Sequence, residues 1–181
     1  MPRFVAFLRG INVGGHLVKK EQLQEVFASL GFTNVLTFKQ SGNVIFKTDS
    51  EDKEKISPMI EEGLCKTLGY EVAVFIRTFT ELKGIVDLDS FKGQDKEGAS
   101  FLVTLLANTS PMTFTSQLPL IIPKSTAQVL SAKGTQVFSI THGGGEGALP
   151  NSFIESKLKV KATTRNINVI REIVEKYGQD T

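Results

Sequence analysis

The opening stretch R-F-V-A-F-L at Arg3–Leu8 puts Phe4, Ala6 and Leu8 on one alternate set and Val5 and Phe7 on the other. A strand that is apolar on both sides needs cover on both sides, so it predicts a sheet with helices on one face and a second layer on the other. The two periodicities then alternate along the chain. Leu23, Val26, Phe27 and Leu30 recur at helical spacing up to Gly31. Thr33–Lys39 and Val44–Thr48 flank the turn Ser41, Gly42, Asn43, a hairpin signature. Asp49 or Ser50 is the expected cap of a second helix carrying Ile56, Ile60, Leu64 and Leu68, with Pro58 either kinking it or marking its first turn and Gly69 ending it. Glu71–Arg77 reads as a strand again, so the first half has the order βαββαβ of a ferredoxin-like unit.

The same grammar resumes after a short helical link near Glu81–Val86 and a polar loop from Lys92 to Gly98. Phe101–Ala107 is a predicted strand, Ser110 and Pro111 open a short helix or turn, and Thr126–Ser131 and Thr135–Thr141 flank the turn Ala132, Lys133, Gly134. A helix is expected over Ser152–Leu158, and Thr164 is expected to open a last helix with Ile167, Ile170, Ile173, Val174 and Tyr177 on one face. The second half therefore repeats βαββα, with its final strand missing or displaced. The expected fold class is α+β: two ferredoxin-like (βαββα) halves related by structural duplication and packed as one compact unit with a C-terminal helix. The expected divisions are residues 1–78, a linker over 79–99, and residues 100–181.

Composition narrows the function classes. A chain of 181 residues, 40% hydrophobic and 22% charged, has the make-up of a folded soluble protein, and a chain near this length buries about 70% of its extended surface. One cysteine excludes a disulfide framework, and with two histidines it leaves too few soft ligands for a closed zinc site. No metal and no cofactor are expected. The longest apolar runs, Phe101–Ala107 and Leu118–Pro123, fall far short of the roughly 20 residues that cross a bilayer. No membrane association is expected. No secretory signal is visible at the N-terminus, and a reducing cytoplasm is the default compartment. Net charge is +2, unevenly spread: residues 1–48 hold six basic against two acidic side chains, residues 49–99 seven against twelve, and residues 151–181 six against four. That field suits a small anion better than a nucleic-acid duplex. Single-stranded RNA readers need exposed stacking aromatics, whereas Phe7 and Phe46 read as core, so nucleic acid is not an expected partner.

Topology brings two polar segments together. In βαββ order within an antiparallel sheet the first two strands run parallel, so the loop Arg9–His16 and the turn Gln40–Asn43 belong to one sheet edge. The loop, R-G-I-N-V-G-G-H, lets backbone amides approach a ligand at Gly14 and Gly15 and leads to Lys19, Lys20 and a helix N-terminus, which favours anions. The edge reads as an anion or phosphate pocket, with Arg9 as a planar donor, Asn12 and Asn43 as orienting amides, Ser41 in the turn, and Lys19 or Lys20 as a point charge. A chain-reversing turn with solvated lysines is the alternative. Arg165, expected in the first turn of the last helix, opposes the helix dipole there unless an anion or a carboxylate joins it.

Other motifs fail. Gly15 is followed by His16 and Leu17, not the lysine and serine of a phosphate loop, and no G-x-G-x-x-G is present. His142 with Gly143, Gly144 and Gly145 imitates an oxyanion loop, but the chain has no G-x-S-x-G elbow. Cys65 has no histidine at a recognisable spacing, and Glu61 and Glu62, being adjacent, point to different helix azimuths.

Four segments together resemble the family known as domain of unknown function 1697: R-G-I-N-V-G-G at 9–15, Q-S-G-N-V-I-F at 40–46, S-K-L at 156–158 and T-T-R-N at 163–166. The resemblance implies a small α+β protein with duplicated ferredoxin-like halves, and no established activity, cofactor or catalytic residue. It adds weight to Arg9, Asn12, Gly14, Gly15, Ser41, Gly42, Asn43, Lys157, Arg165 and Asn166 as a set. Family members usually continue the last motif with tryptophan, asparagine and threonine, where this chain has Ile167, Asn168 and Val169; a stacking ring cannot operate here. The stretch Thr141–Asn151 is longer and richer in glycine than the family pattern. The leading expectation is a binder of a small anionic or phosphorylated ligand at loop 9–16 and turn 40–43, closed by Arg165. A protein-interaction module and an enzyme of unrecognised class are the alternatives, the latter without a nucleophile and positioned base that can be named.

Overall fold

The computed structural model describes residues 1–180 except 13, 14, 16, 40, 41, 96, 109–116 and 144–149. The chain is mixed α/β with two antiparallel sheets, and it divides into two units, residues 1–81 and 82–179. Unit 1 contains β1 (Arg3–Arg9), α1 (Lys20–Ser29), β2 (Thr33–Thr37), β3 (Asn43–Lys47), α2 (Lys53–Leu68) and β4 (Ala73–Thr78), and the division falls inside α3 (Phe79–Asp87). Its sheet, called sheet A, has the order β2-β3-β1-β4. The α2 helix starts later than the sequence suggests: Asp52, not Asp49 or Ser50, is its cap, accepting from the Glu54 and Lys55 amides. Pro58 therefore sits in the second turn and does not open the helix.

Both faces of β1 are buried, as the two-sided apolar pattern requires. Phe4, Ala6 and Leu8 join Phe46 and Ile76 beneath Leu23 and Phe27 of α1 and Ile56, Ile60 and Leu64 of α2. The Phe46 ring stands 4.7 Å from Phe32 and 5.4 Å from Phe27, centroid to centroid. Val5, Phe7, Ile45 and Phe75 on the opposite face are also buried, together with one cation, Arg77. Phe7 and Phe46 are thus core, and neither is available to stack on a base.

Unit 2 contains β5 (Ala99–Leu106), β6 (Leu120–Ile121), β7 (Ala127–Lys133), β8 (Gln136–His142), α4 (Asn151–Leu158), β9 (Ala162–Asn166) and α5 (Ile167–Tyr177). Its sheet, sheet B, has the order β6-β7-β8-β5-β9. The expected turn or helix at Ser110 and Pro111 lies outside the described residues. Two expectations are corrected. The last strand of the second half is present, and it is the T-T-R-N segment itself: β9 pairs antiparallel with β5, Val103 opposite Arg165 and Thr104 opposite Thr164. Thr164 does not open α5. The β-branched pair Thr163–Thr164 favours the ladder, and Asn166, whose Oδ1 accepts from the Asn168 amide at 2.9 Å, supplies the cap.

The ladders of the two sheets correspond position by position. With Phe7 and Asn43 matched to Leu105 and Gln136, the pair Val5–Arg77 falls on Val103–Arg165. The Leu8 amide donates to the Gly42 carbonyl at 2.8 Å, and the Leu106 amide donates to the Thr135 carbonyl at 2.8 Å. Glu61 of α2 accepts from the Val74 amide at 2.9 Å, and Glu155 of α4 accepts from the Ala162 amide at 2.8 Å. The strands paired with β3 and β8 carry irregularities at corresponding places, between Thr33 and Leu36 in β2 and between Val129 and Ser131 in β7.

Candidate functional site

The C-terminal end of β1 and the N-terminal end of β3 are paired, Phe7 opposite Asn43, and the Leu8–Gly42 bond carries the ladder one step past Asn43 into the turn. The loop leaving β1 and the bend entering β3 therefore share one end of sheet A. Arg9 closes β1 opposite Ala73 of β4. Gly10 and Gly15 both have φ of +83°, a conformation glycine adopts without steric cost, and Asn12 lies in the left-handed region at φ 59°. The Asn12 Oδ1 accepts from the Val18 amide at 2.7 Å, which ties the two ends of the loop together across six residues. Lys19 is the cap position of α1 and makes no side-chain cap bond, so the first-turn amides of this helix do not donate to its side chain. Lys20 is exposed, with its ammonium 3.6 Å from Glu21.

Two of the expected ligand residues have structural roles here. Asn43 is buried, and its side-chain amide donates to the Phe38 carbonyl at 2.9 Å, bracing the bend. Asn12 shapes its loop as described. Gly14 and Ser41 lie outside the described residues, while Arg9, Asn12, Gly15, Gly42, Asn43, Lys19 and Lys20 gather at this end of unit 1.

Lys157, Arg165 and Asn166 belong to unit 2. Lys157 is on α4, its ammonium 5.7 Å from the Phe153 ring centroid. Ala162 packs with Ile154 and Leu158 of α4; Arg165, on the other alternate set of β9, points away from that helix, so Lys157 and Arg165 lie on opposite sides of sheet B. The Arg165 guanidinium donates to Thr163 Oγ1 and the Thr164 carbonyl, both at 2.9 Å. Burial lowers its pKa to about 10. Because Arg165 is a strand residue, the unfavourable helix-dipole placement expected for it does not arise.

Sequence reasoning missed Arg77, which occupies the position in sheet A that Arg165 holds in sheet B and likewise donates to the carbonyl of its preceding residue, Ile76, at 2.9 Å. Burial lowers the Arg77 pKa, opposed by the nearby Glu81 carboxylate. What the sequence does carry is a capping box, Thr78-x-x-Glu81 ahead of an apolar run, which marks the start of α3 and places Glu81 near this cation. Thr78 Oγ1 accepts from the Glu81 amide at 3.1 Å, and Glu81 returns an acceptor to the Thr78 amide at 2.7 Å.

Among the described residues no group of three or more His, Cys, Asp or Glu side chains gathers to hold a metal ion, and no helix is long and apolar enough to cross a membrane. The fold is that of a two-sheet antiparallel α/β protein. The chain belongs to the family described as Protein of unknown function (DUF1697), which matches residues 1–138. Its structure is similar to that of the conserved bacterial protein SP0830 from Streptococcus pneumoniae, with a TM-score of 0.68 at 17% identity over 99% of each chain. That likeness speaks for the fold alone. No curated protein matches the sequence.

Proposed function

We propose that this protein binds a small anionic, phosphate-bearing ligand at the end of sheet A formed by the loop 9–16 and the turn 40–43. The observation that carries the proposal is the Leu8–Gly42 hydrogen bond at 2.8 Å, which makes neighbours of two glycine-bearing bends. Arg9, Lys19 and Lys20 supply positive charge at that end, and the start of α1 adds amides directed out of the helix. Asn12 and Asn43 hold the bends in shape. The ligand-contacting groups are then backbone amides and cations, a combination suited to phosphate oxygens. A reducing cytoplasm, compatible with the single free Cys65, is the compartment we assign to it.

We further infer that the two sheets are duplicated ferredoxin-like halves. The matched amide–carbonyl bonds, the matched glutamates Glu61 and Glu155, the matched arginines and the matched strand irregularities support common descent more strongly than strand order alone.

Thermal unfolding with nucleotides, sugar phosphates and polyphosphate tests the binding proposal. At least one of them at millimolar excess is expected to raise the midpoint, and a ligand at a hundredfold excess over Kd stabilises by about 2.7 kcal/mol. The gain is expected to vanish in the triple variant Arg9→Gln, Lys19→Gln, Lys20→Gln. If no anion stabilises the wild type at low salt, the proposal fails.

A further inference from the structure

The side of sheet B on which α4 packs carries hydroxyl groups where sheet A carries its core. Ser139 takes the position of Phe46, Thr104 that of Ala6, and Thr164 that of Ile76. All three are buried, with Ser139 and Thr104 at 0% exposure. Thr104 and Thr164 share one hydrogen bond at 2.9 Å between their Oγ1 atoms. Only one hydroxyl proton is used in that bond, and the other remains available. Among the described residues Ser139 Oγ has no hydrogen-bond partner. Leaving such a hydroxyl unsatisfied in an apolar interior is unfavourable, and native proteins resolve it with a partner or a bound guest.

The register says where a guest would sit. Ser139 faces Leu102, and Thr104 is two residues further along the same strand on the same face, so the Ser139 and Thr104 hydroxyls are diagonal neighbours. Diagonal pairs in an antiparallel sheet are about 7–8 Å apart at the backbone. That separation is too long for two short side chains to bond directly and suits one atom bridging them. The irregularity between Val129 and Ser131 interrupts the ladder directly beside Ser139. The neighbours Val129, Val137 and Ile154 carry no charge, so an ionic guest is disfavoured here.

We propose that Ser139, Thr104 and Thr164 form an internal binding site for one water-sized, uncharged hydrogen-bonding group, either an ordered water or the hydroxyl or amide end of a small ligand. This site is independent of the anion-binding edge: it lies in the other unit and uses no residue of it.

High-resolution crystal structures of the wild type and Ser139→Ala, with denaturation midpoints of both, test the proposal. The expected result is density within hydrogen-bond distance of Ser139 Oγ and Thr104 Oγ1 in the wild type, its loss in the variant, and a lower midpoint for the variant. Native mass spectrometry separates the two sources: a retained mass excess on the wild type identifies a ligand, and its absence identifies water. A dry wild-type face overturns the proposal. So does a Ser139→Ala midpoint that is unchanged or raised, because removing a truly unsatisfied buried hydroxyl relieves the protein.

Discussion

Sheet A and sheet B hold the same ladder with opposite interiors. Where sheet A places Ala6, Phe46 and Ile76 against its helices, sheet B places Thr104, Ser139 and Thr164. The backbone does not depend on either choice: strand pairing, the amide bond that extends the central ladder, and the glutamate that holds the neighbouring strand's amide are alike in both. The difference shows that the frame tolerates a polar interior at these positions. In sheet A this region is a source of stability, an aromatic cluster built around Phe46. In sheet B the same positions carry buried hydroxyls instead.

The most disruptive way to break the comparison is to give sheet A the side chain of sheet B. Phe46→Ser removes a fully buried ring that contacts three other aromatics and adds a hydroxyl that has no designed partner. Truncation of a buried phenylalanine costs about 3–5 kcal/mol, so chemical denaturation should show a loss of about 4 kcal/mol. A loss of about 1 kcal/mol or less would mean that sheet A accepts polarity as readily as sheet B, and the contrast would dissolve.

A smaller effect sharpens the comparison at the sheet ends. Asn43 and Gln136 occupy matching positions, but Asn43 is buried with its amide donated to the Phe38 carbonyl, whereas Gln136 is half-buried. Asn43→Ala should cost about 2 kcal/mol by stranding a buried carbonyl, while Gln136→Ala should stay within about 0.5 kcal/mol. The same Asn43→Ala variant should lose any anion-dependent gain in midpoint, because the bend that carries Gly42 is no longer braced. Equal costs at the two positions would show that the Asn43 side chain does not brace its bend.

Much of this was readable from residue pattern. The two-faced burial of β1 follows from R-F-V-A-F-L, the first hairpin from the turn at Gly42, and α2 and α5 from their spaced isoleucines. Adjacency of the two glycine bends followed from strand order alone. The strand at T-T-R-N was missed because the Asn166 cap lies only two residues after the β-branched pair, whose Thr164 is itself a cap residue type, so cap and strand signals overlap within a few residues. Arg77 was missed for a different reason: a cation on an otherwise apolar strand gives no periodic signal, and its burial depends on long-range packing. The hydroxyls at 104, 139 and 164 come from three strands far apart in sequence, and only the register makes them neighbours. At the candidate edge, residue type pointed to Asn12 and Asn43 as ligand-orienting amides, whereas both side chains bond the protein's own backbone, since a side-chain amide looks the same whether it faces a ligand or its own chain.

The mildest test concerns the carboxylate beside Arg77 and the guanidinium of Arg165, and it separates the units by the pH range in which stability changes. Burial raises the Glu81 pKa, but the Lys53 ammonium at 2.6 Å, the Thr78 amide and the Arg77 guanidinium outweigh it and hold this carboxyl below its usual value of 4.5. A carboxylate with a depressed folded pKa stabilises fully above its unfolded pKa, and the contribution is lost as pH falls through the folded value. Both partners of the Lys53 pair are more than one-third exposed, so Glu81→Gln should cost only about 0.5 kcal/mol at neutral pH, and the gap to wild type should close in acid. In the matching place, four residues after Arg165, unit 2 has Val169, and burial is the cause of the fall in the Arg165 pKa to about 10. A buried cation with a depressed pKa is a liability while charged, so this component of stability should rise as pH climbs past about 10 toward the ordinary guanidinium range. Urea midpoints of wild type and Arg165→Met should converge or cross as pH climbs past about 10, whereas a parallel pair of curves would show that the guanidinium is solvated and keeps its charge.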